Sequence, residues 1–170
     1  GSMTLTKVYS QDATEDVKLE DEAGNVTTIN VKVQIKRISD VLTSNTLKIS
    51  ETDLNIKKVY PKTTVLNFKK SINSEMEYTI LNKSGTELSD SSYIGTGCQV
   101  KMKNDKVYTV IVWGDLTGNG KISLTELARI SKIFAEQATP TDLEKSAIDI
   151  NMNGKLDLVE LAAIARLQLK

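Results

Sequence analysis

Two stretches of twelve residues carry oxygen-bearing side chains at the spacing a hard divalent cation needs. They read Asp115-Leu-Thr-Gly-Asn-Gly-Lys-Ile-Ser-Leu-Thr-Glu126 and Asp149-Ile-Asn-Met-Asn-Gly-Lys-Leu-Asp-Leu-Val-Glu160, the second beginning 34 residues after the first. Ca2+ takes about six to eight oxygens, and one short loop supplies them from positions 1, 3, 5, 7, 9 and 12, with Gly at 6 for the sharp turn. In the second stretch Asp149, Asn151 and Asn153 offer side-chain oxygens and Lys155 its carbonyl. Asp157 serves directly or through a water, and Glu160 closes the site with its carboxylate. In the first, the same positions are Asp115, Thr117, Asn119, Lys121, Ser123 and Glu126. Thr117 is the weak member, because a hydroxyl is a poorer calcium ligand than an amide or carboxylate oxygen. Formal ligand charge is also smaller there, Asp115 and Glu126 against Asp149, Asp157 and Glu160. Two calcium sites are therefore predicted, the second tighter.

Each stretch also ends in a capping box, Ser123-Leu-Thr-Glu126 and Asp157-Leu-Val-Glu160, so helix capping is the competing use of each Glu. The duplication, with Gly at six and acids at one and twelve both times, favours the metal. Each loop must run straight into an amphipathic helix. Leu124, Leu127, Ile130, Ile133 and Phe134 recur at helical spacing after the first, and Leu158, Leu161, Ile164 and Leu167 after the second. Between them Thr139 as N-cap, with Pro140 at the first helical position, predicts a short connecting helix. Ahead of the first loop, Val107-Tyr-Thr-Val-Ile-Val-Trp113 is β-branched and aromatic and reads as a strand, so that loop has no helix entering it.

A loop and an exiting helix, written twice, with Trp113-Gly-Asp-Leu-Thr-Gly-Asn-Gly-Lys-Ile122 opening one copy and Ile148-Asp-Ile-Asn-Met-Asn-Gly-Lys-Leu156 the other, closely resembles the dockerin family over residues 113–170. The resemblance implies a calcium-held pair of repeats with pseudo-twofold symmetry that docks onto a cohesin of a scaffoldin or surface protein. Carried over by position, the partner-facing residues would be Leu124, Thr125, Ser131 and Lys132 in the first repeat, and Leu158, Val159, Ala165 and Arg166 in the second. The chain departs from the commonest dockerin pattern in having Glu rather than Asp at position twelve and in lacking Ser-Thr recognition pairs. For Leu158 or Val159 taken singly, core packing is the ordinary reading. The second helix, however, is apolar nearly all round from Leu158 to Leu167, as a buried or interfacial helix is. It is the favoured docking surface.

The rest of the chain bounds the function. Positive and negative side chains balance at 22 each with no basic cluster, which gives nucleic acid no footprint. No apolar stretch reaches the roughly 20 residues of a membrane helix. Histidine is absent, which removes Ser/Cys–His triads and disfavours zinc. Cys98 is the only cysteine, so no intrachain disulfide forms, and its alternation with Val100 and Met102 marks it as a small buried hydrophobe on a strand. Aromatics total 5% with Trp113 the only tryptophan, thin material for a sugar cleft. A non-enzymatic, monomeric module is expected.

Upstream, Thr63-Thr64 begins a helix with Val65, Phe68 and Ile72 on one face, followed by strands through Met76, Tyr78 and Ile80, through Cys98, Val100 and Met102, and through 107–113. The last is apolar on both faces and therefore central. The order strand, helix, three strands suggests a β-grasp-like sheet, and the run from Tyr78 to Asp115 resembles the X modules that precede dockerin repeats in secreted and surface proteins of Gram-positive bacteria. Nearer the N-terminus Ile29, Val31, Val33 and Ile35 alternate with Asn30, Lys32, Gln34 and Lys36, a half-buried strand in a hairpin turned at Asp21–Asn25. That hairpin is similar to the last hairpin of bacterial immunoglobulin-like repeats. The expected organisation is thus an α+β multi-module chain. Residues 1–3 are an expression remnant, 4–45 a hairpin segment, 46–113 a small mainly-β module and 114–170 an all-α calcium-loop domain. The expected location is extracellular. Two alternatives stand: a calcium-stabilised structural or adhesion domain, and an EF-hand-like sensor, which the missing entering helix disfavours.

Overall fold

A computed structural model describes residues 12–35 and 38–169. The chain divides into two compact units, Gly1–Ile38 and Ser39–Lys170. In the first, β1 (Ala13–Glu20) and β2 (Val26–Val33) form an antiparallel hairpin. The register sets Ala13 opposite Val33 and Val17 opposite Ile29, which places these apolar residues on one face. Asp16 and Asn30 pair on the other, joined by a 2.7 Å hydrogen bond. The carboxylate of Asp21 holds the turn by accepting the N–H groups of Ala23 and Asn25, both at 2.9 Å. Residues 1–3 and Lys36, both used in the sequence reading, lie outside the described residues.

The second unit opens with β3 (Lys48–Ser50) and β4 (Asn55–Val59), then α1 (Val65–Ser71), β5 (Tyr78–Leu81), β6 (Gln99–Met102) and β7 (Val107–Val112). Three helices follow: α2 (Leu124–Phe134), α3 (Asp142–Ile148) and α4 (Leu158–Gln168). The five strands make one sheet in the order β3-β4-β7-β6-β5, in which β4 and β7 run parallel and the other pairs antiparallel. The protein is therefore α+β, a β-rich region with two sheets ahead of a helical end. β7 lies in the middle of its sheet, as its two apolar faces require. Two strands precede α1 where the sequence pattern suggests one, and β3, only three residues long, carries no alternation that would reveal it.

One core lies between α1 and the sheet, with Val65 and Phe68 fully buried against Ile56, Ile80, Val100, Tyr108 and Val110. Thr64 caps α1 by accepting the N–H of Asn67. The sequence boundary at 45/46 falls inside this packing: Leu42 is buried in the same core, and Thr43 bridges Asn73 through N–H···O bonds of 3.0 and 2.8 Å. Met76 and Cys98 stand just ahead of their strands rather than in them. Cys98 closes a turn whose N–H donates to Gly95 O at 3.0 Å, and its sulfur accepts the Gly95 N–H. It is buried, and burial pushes its thiol up, away from reactivity.

A second core joins Ile122, Ile130, Ile133, Ile148 and Ile164, with Leu116, Leu127 and Leu161 packed against it. The connecting helix α3 starts two residues later than the sequence reading has it. Its N-cap is Thr141, not Thr139. The reason is a reciprocal capping box: Thr141 N–H donates to Glu144 Oε2 at 2.8 Å, and Glu144 N–H to Thr141 Oγ1 at 3.2 Å. Three positions after Thr139 stands Asp142, whose carboxylate accepts Lys145 Nζ at 3.0 Å instead of closing a box, and the Thr139 carbonyl accepts Arg129 Nη2 at 3.1 Å. Among the described residues no helix is long and apolar enough to cross a membrane.

Candidate metal loops and docking face

The loop at 115–126 leaves the end of β7 and turns into α2; the loop at 149–160 leaves α3 and turns into α4. Both follow the same backbone path. Position four is left-handed in each, Gly118 at φ +85° and Met152 at +59°, and so is position six, Gly120 at +75° and Gly154 at +76°. The acid at position one organises the turn. Asp115 Oδ1 accepts Gly118 N–H at 2.8 Å and Asn119 N–H at 3.1 Å, while Oδ2 accepts Gly120 N–H at 2.8 Å. In the second loop Asp149 Oδ1 accepts Asn153 N–H at 3.0 Å and Oδ2 accepts Gly154 N–H at 2.9 Å. Position five repeats too: Asn119 Oδ1 accepts Lys121 N–H at 2.8 Å, and Asn153 Oδ1 accepts Lys155 N–H at 2.7 Å. Asn151 at position three also accepts the Asn153 N–H, at 2.9 Å.

Positions nine and twelve form the capping boxes read from the sequence. Ser123 and Asp157 cap α2 and α4 by accepting the N–H groups of Thr125 and Val159 at 3.1 and 2.8 Å. In return Glu126 Oε2 accepts Ser123 N–H at 2.9 Å and also the Ser123 hydroxyl, and Glu160 Oε2 accepts Asp157 N–H at 3.0 Å. Capping uses one oxygen of each Glu and leaves the other.

Those second oxygens differ. Glu126 Oε1 accepts the Thr117 hydroxyl at 2.7 Å, which brings positions three and twelve together. Glu160 Oε1 is buried with no hydrogen-bond partner. Both glutamates are almost wholly enclosed. Burial raises the Glu126 carboxyl, but the Ser123 and Thr117 hydrogen bonds outweigh it and the net shift is downward. Glu160, with fewer donors, is raised by burial, as is Asp115 despite its N–H partners. A buried carboxylate oxygen without a donor is an unusual expense in a folded chain, and a bound cation is one of the few ways to satisfy it. The residues of the second loop therefore fit a hard cation.

Among the described residues no three His, Cys, Asp or Glu side chains gather into a group able to hold a metal. Any ion would depend on the neutral oxygens of Thr117, Asn119 and Ser123, or of Asn151 and Asn153, together with the carbonyls of Lys121 and Lys155 at position seven.

One contact escapes the sequence reading. Asp115 Oδ2 also accepts the N–H of Thr96 at 2.8 Å, a residue in the connection between β5 and β6. Around it, Lys62 N–H donates to Gly120 O at 2.7 Å, and the chains approach so closely that a Cβ on Gly95 would lie 2.0 Å from Gly118 O. The only sequence signal is the pair of glycines flanking Thr96.

The residues carried over as partner-facing lie mostly in solvent. Leu124, at position ten of the first repeat, is 75% exposed; its counterpart Leu158 is 69% exposed and Val159 67%. Core packing, the ordinary reading of Leu158 and Val159, is thereby corrected: the capping turn points the start of α4 outward, and Ile164 alone of its apolar side chains is fully buried. Thr125, Ser131, Lys132 and Arg166 are exposed and Ala165 half-buried. Leu124, Thr125 and Lys132 line one shallow depression with Ala128 and Arg129, and Ser131 is not part of it. Searches of known protein families, of curated proteins and of solved structures return no match to this chain.

Proposed function

We propose that the chain is a non-catalytic docking module, a dockerin-like pair of calcium loop–helix repeats carried on a β-rich support, that binds a cohesin and anchors its parent protein in an extracellular assembly. The observation that carries this reading is the repetition of one arrangement in both copies. Each has an Asp at position one bonded to the loop N–H groups, a buried Glu at position twelve capping the exiting helix, and an exposed leucine at position ten. Exposed leucines at matching places on two helices have no folding use, and a partner surface would bury them. The upstream sheet, with its hairpin, helix, three-stranded meander and parallel central pair, supports a β-grasp-like X module as the support.

In such a module calcium, when bound, neutralises and cross-links the loop acids, so that its binding free energy adds to folding. At free calcium a hundredfold above the dissociation constant one site adds about 2.7 kcal/mol. The chain's own residues do the rest: Asp115 and Asp149 set the turns, Glu126 and Glu160 fix the helix starts, and α2 and α4 present Leu124, Leu158 and Val159. The full chain is expected to bind at least one member of a panel of cohesins of different types in calcium and to release it in EDTA. Failure against every type, with folding intact, would favour the second reading, a calcium-stabilised structural domain. The burial of Asp115 against Thr96 is the observation on that side.

A further inference from the structure

The two loops share a path but not their supports. A carboxylate has about four lone-pair sites. Asp115 fills them with protein donors, the N–H groups of Gly118, Asn119, Gly120 and Thr96. Glu126 accepts from Thr117 Oγ1, Ser123 N and Ser123 Oγ. In the second loop Asp149 accepts from Asn153 and Gly154 only, and Glu160 from Asp157, with its other oxygen buried and bare. The first loop's acids are satisfied by the chain. Those of the second are not.

The surroundings differ in the same sense. The first loop is gripped from outside by Thr96, Lys62 and the bare Cα of Gly95. Gly114 N–H, just before it, donates to Ala147 O in α3 at 2.8 Å. α2 and α3 are tied by a fork in which Arg129 Nε and Nη2 donate to Glu144 Oε1 and Oε2 at 2.9 and 3.2 Å. The hydrogen bonds of the second loop stay among residues 145–160, and Asn151, Met152, Asn153, Gly154 and Lys155 are all exposed. Among the described residues no hydrogen bond or ion pair joins α4 to α2, α3 or the sheet, so only apolar contacts such as Ile164 hold it.

We propose that the calcium dependence resides in the second loop alone: the first loop is a hydrogen-bonded joint that keeps its shape without metal, and the second is a clasp whose cation fixes α4. This rests on the reading of these stretches as calcium loops. Free calcium would then govern the presentation of Leu158 and Val159, while Leu124 and Thr125 stay in place throughout.

The test uses the full chain in calcium and in EDTA, with limited trypsin cleavage mapped by mass and far-ultraviolet circular dichroism, and the variant Glu160→Gln in calcium. α4 holds 11 helical residues against 11 in α2 and 7 each in α1 and α3, so its release should remove roughly a third of the helical signal. In EDTA, cuts are expected at Lys155 and Arg166 while Lys121, Arg129 and Lys145 stay protected, and Glu160→Gln in calcium should give the same pattern. Cleavage at Lys121 and Arg129 together with Lys155, accompanied by loss of most of the helical signal, would mean that both loops melt as one. That overturns the inference and leaves the calcium reading standing. Identical patterns in calcium and EDTA would overturn the calcium reading and the inference with it.

Discussion

At position four of each loop the backbone is left-handed, and the two copies meet that demand with different residues. Gly118 adopts φ +85° without a Cβ to object, whereas Met152 takes φ +59° with its side chain half in solvent. A left-handed residue with a side chain costs about 1–2 kcal/mol, and glycine gives back about 0.5–1 kcal/mol in chain entropy. Met152→Gly should therefore strengthen the proposed calcium binding at the second loop, by up to roughly fivefold, a factor that corresponds to about 1 kcal/mol. Calorimetric titration decides it, and an unchanged or weaker affinity counts against the loop path described above. At this scale much was legible beforehand. The twelve-residue spacing and both loop capping boxes follow local rules that the chain spells out. The misplacement of the α3 cap shows the limit of such rules: Thr139 and Thr141 are both good caps, and only the Glu at 144 and the use of the Thr139 carbonyl by Arg129 separate them. The role of Thr96 was not legible, since its flanking glycines mark a close approach but not a main-chain donor aimed at an acid 19 residues on.

Among elements, the tie between α2 and α3 depends on one ion pair with clear titration behaviour. The hydrogen bonds from Arg129 hold the Glu144 carboxyl below its ordinary 4.5. A depressed carboxyl contributes stability above its unfolded value and loses it as pH falls through the lower folded value. Arg129→Met should accordingly be less stable than the parent near neutrality and lose less on acidification. The urea midpoints of the two chains should stand apart at about pH 6 and draw together at about pH 3.5. A constant gap between them would show that Arg129 acts through packing alone. Strands and helices were mostly readable because period-two and helical patterns are local. The strand pairings were not: β4 lies parallel to β7 across half the unit, and β3 is too short to carry a pattern. Exposure at the start of α4 could be read only from the docking positions carried over by resemblance, because a helix apolar on all sides does not itself say which side the core takes.

For the molecule as a whole, the exposed apolar residues are the lever on the proposed docking. Leu158 and Val159 are about two-thirds in solvent, so replacing both with Asp should leave the melting temperature in calcium nearly unchanged; surface changes of this kind stay within about 0.5 kcal/mol. Cohesin capture, by contrast, should fall by at least tenfold, as burying unpaired charge in an interface demands. Equal losses of stability and binding would mean that these side chains serve the fold. The close approach of Gly95 to the carbonyl of Gly118 has a practical corollary for anyone wishing to transplant this module as a fusion tag. A graft beginning at residue 114 would carry the first loop away from Thr96 and Lys62, stripping Asp115 of one of its donors and the Gly120 carbonyl of its own. The smallest portable cassette begins near Ser39, and a host protein must accommodate the sheet along with the helices.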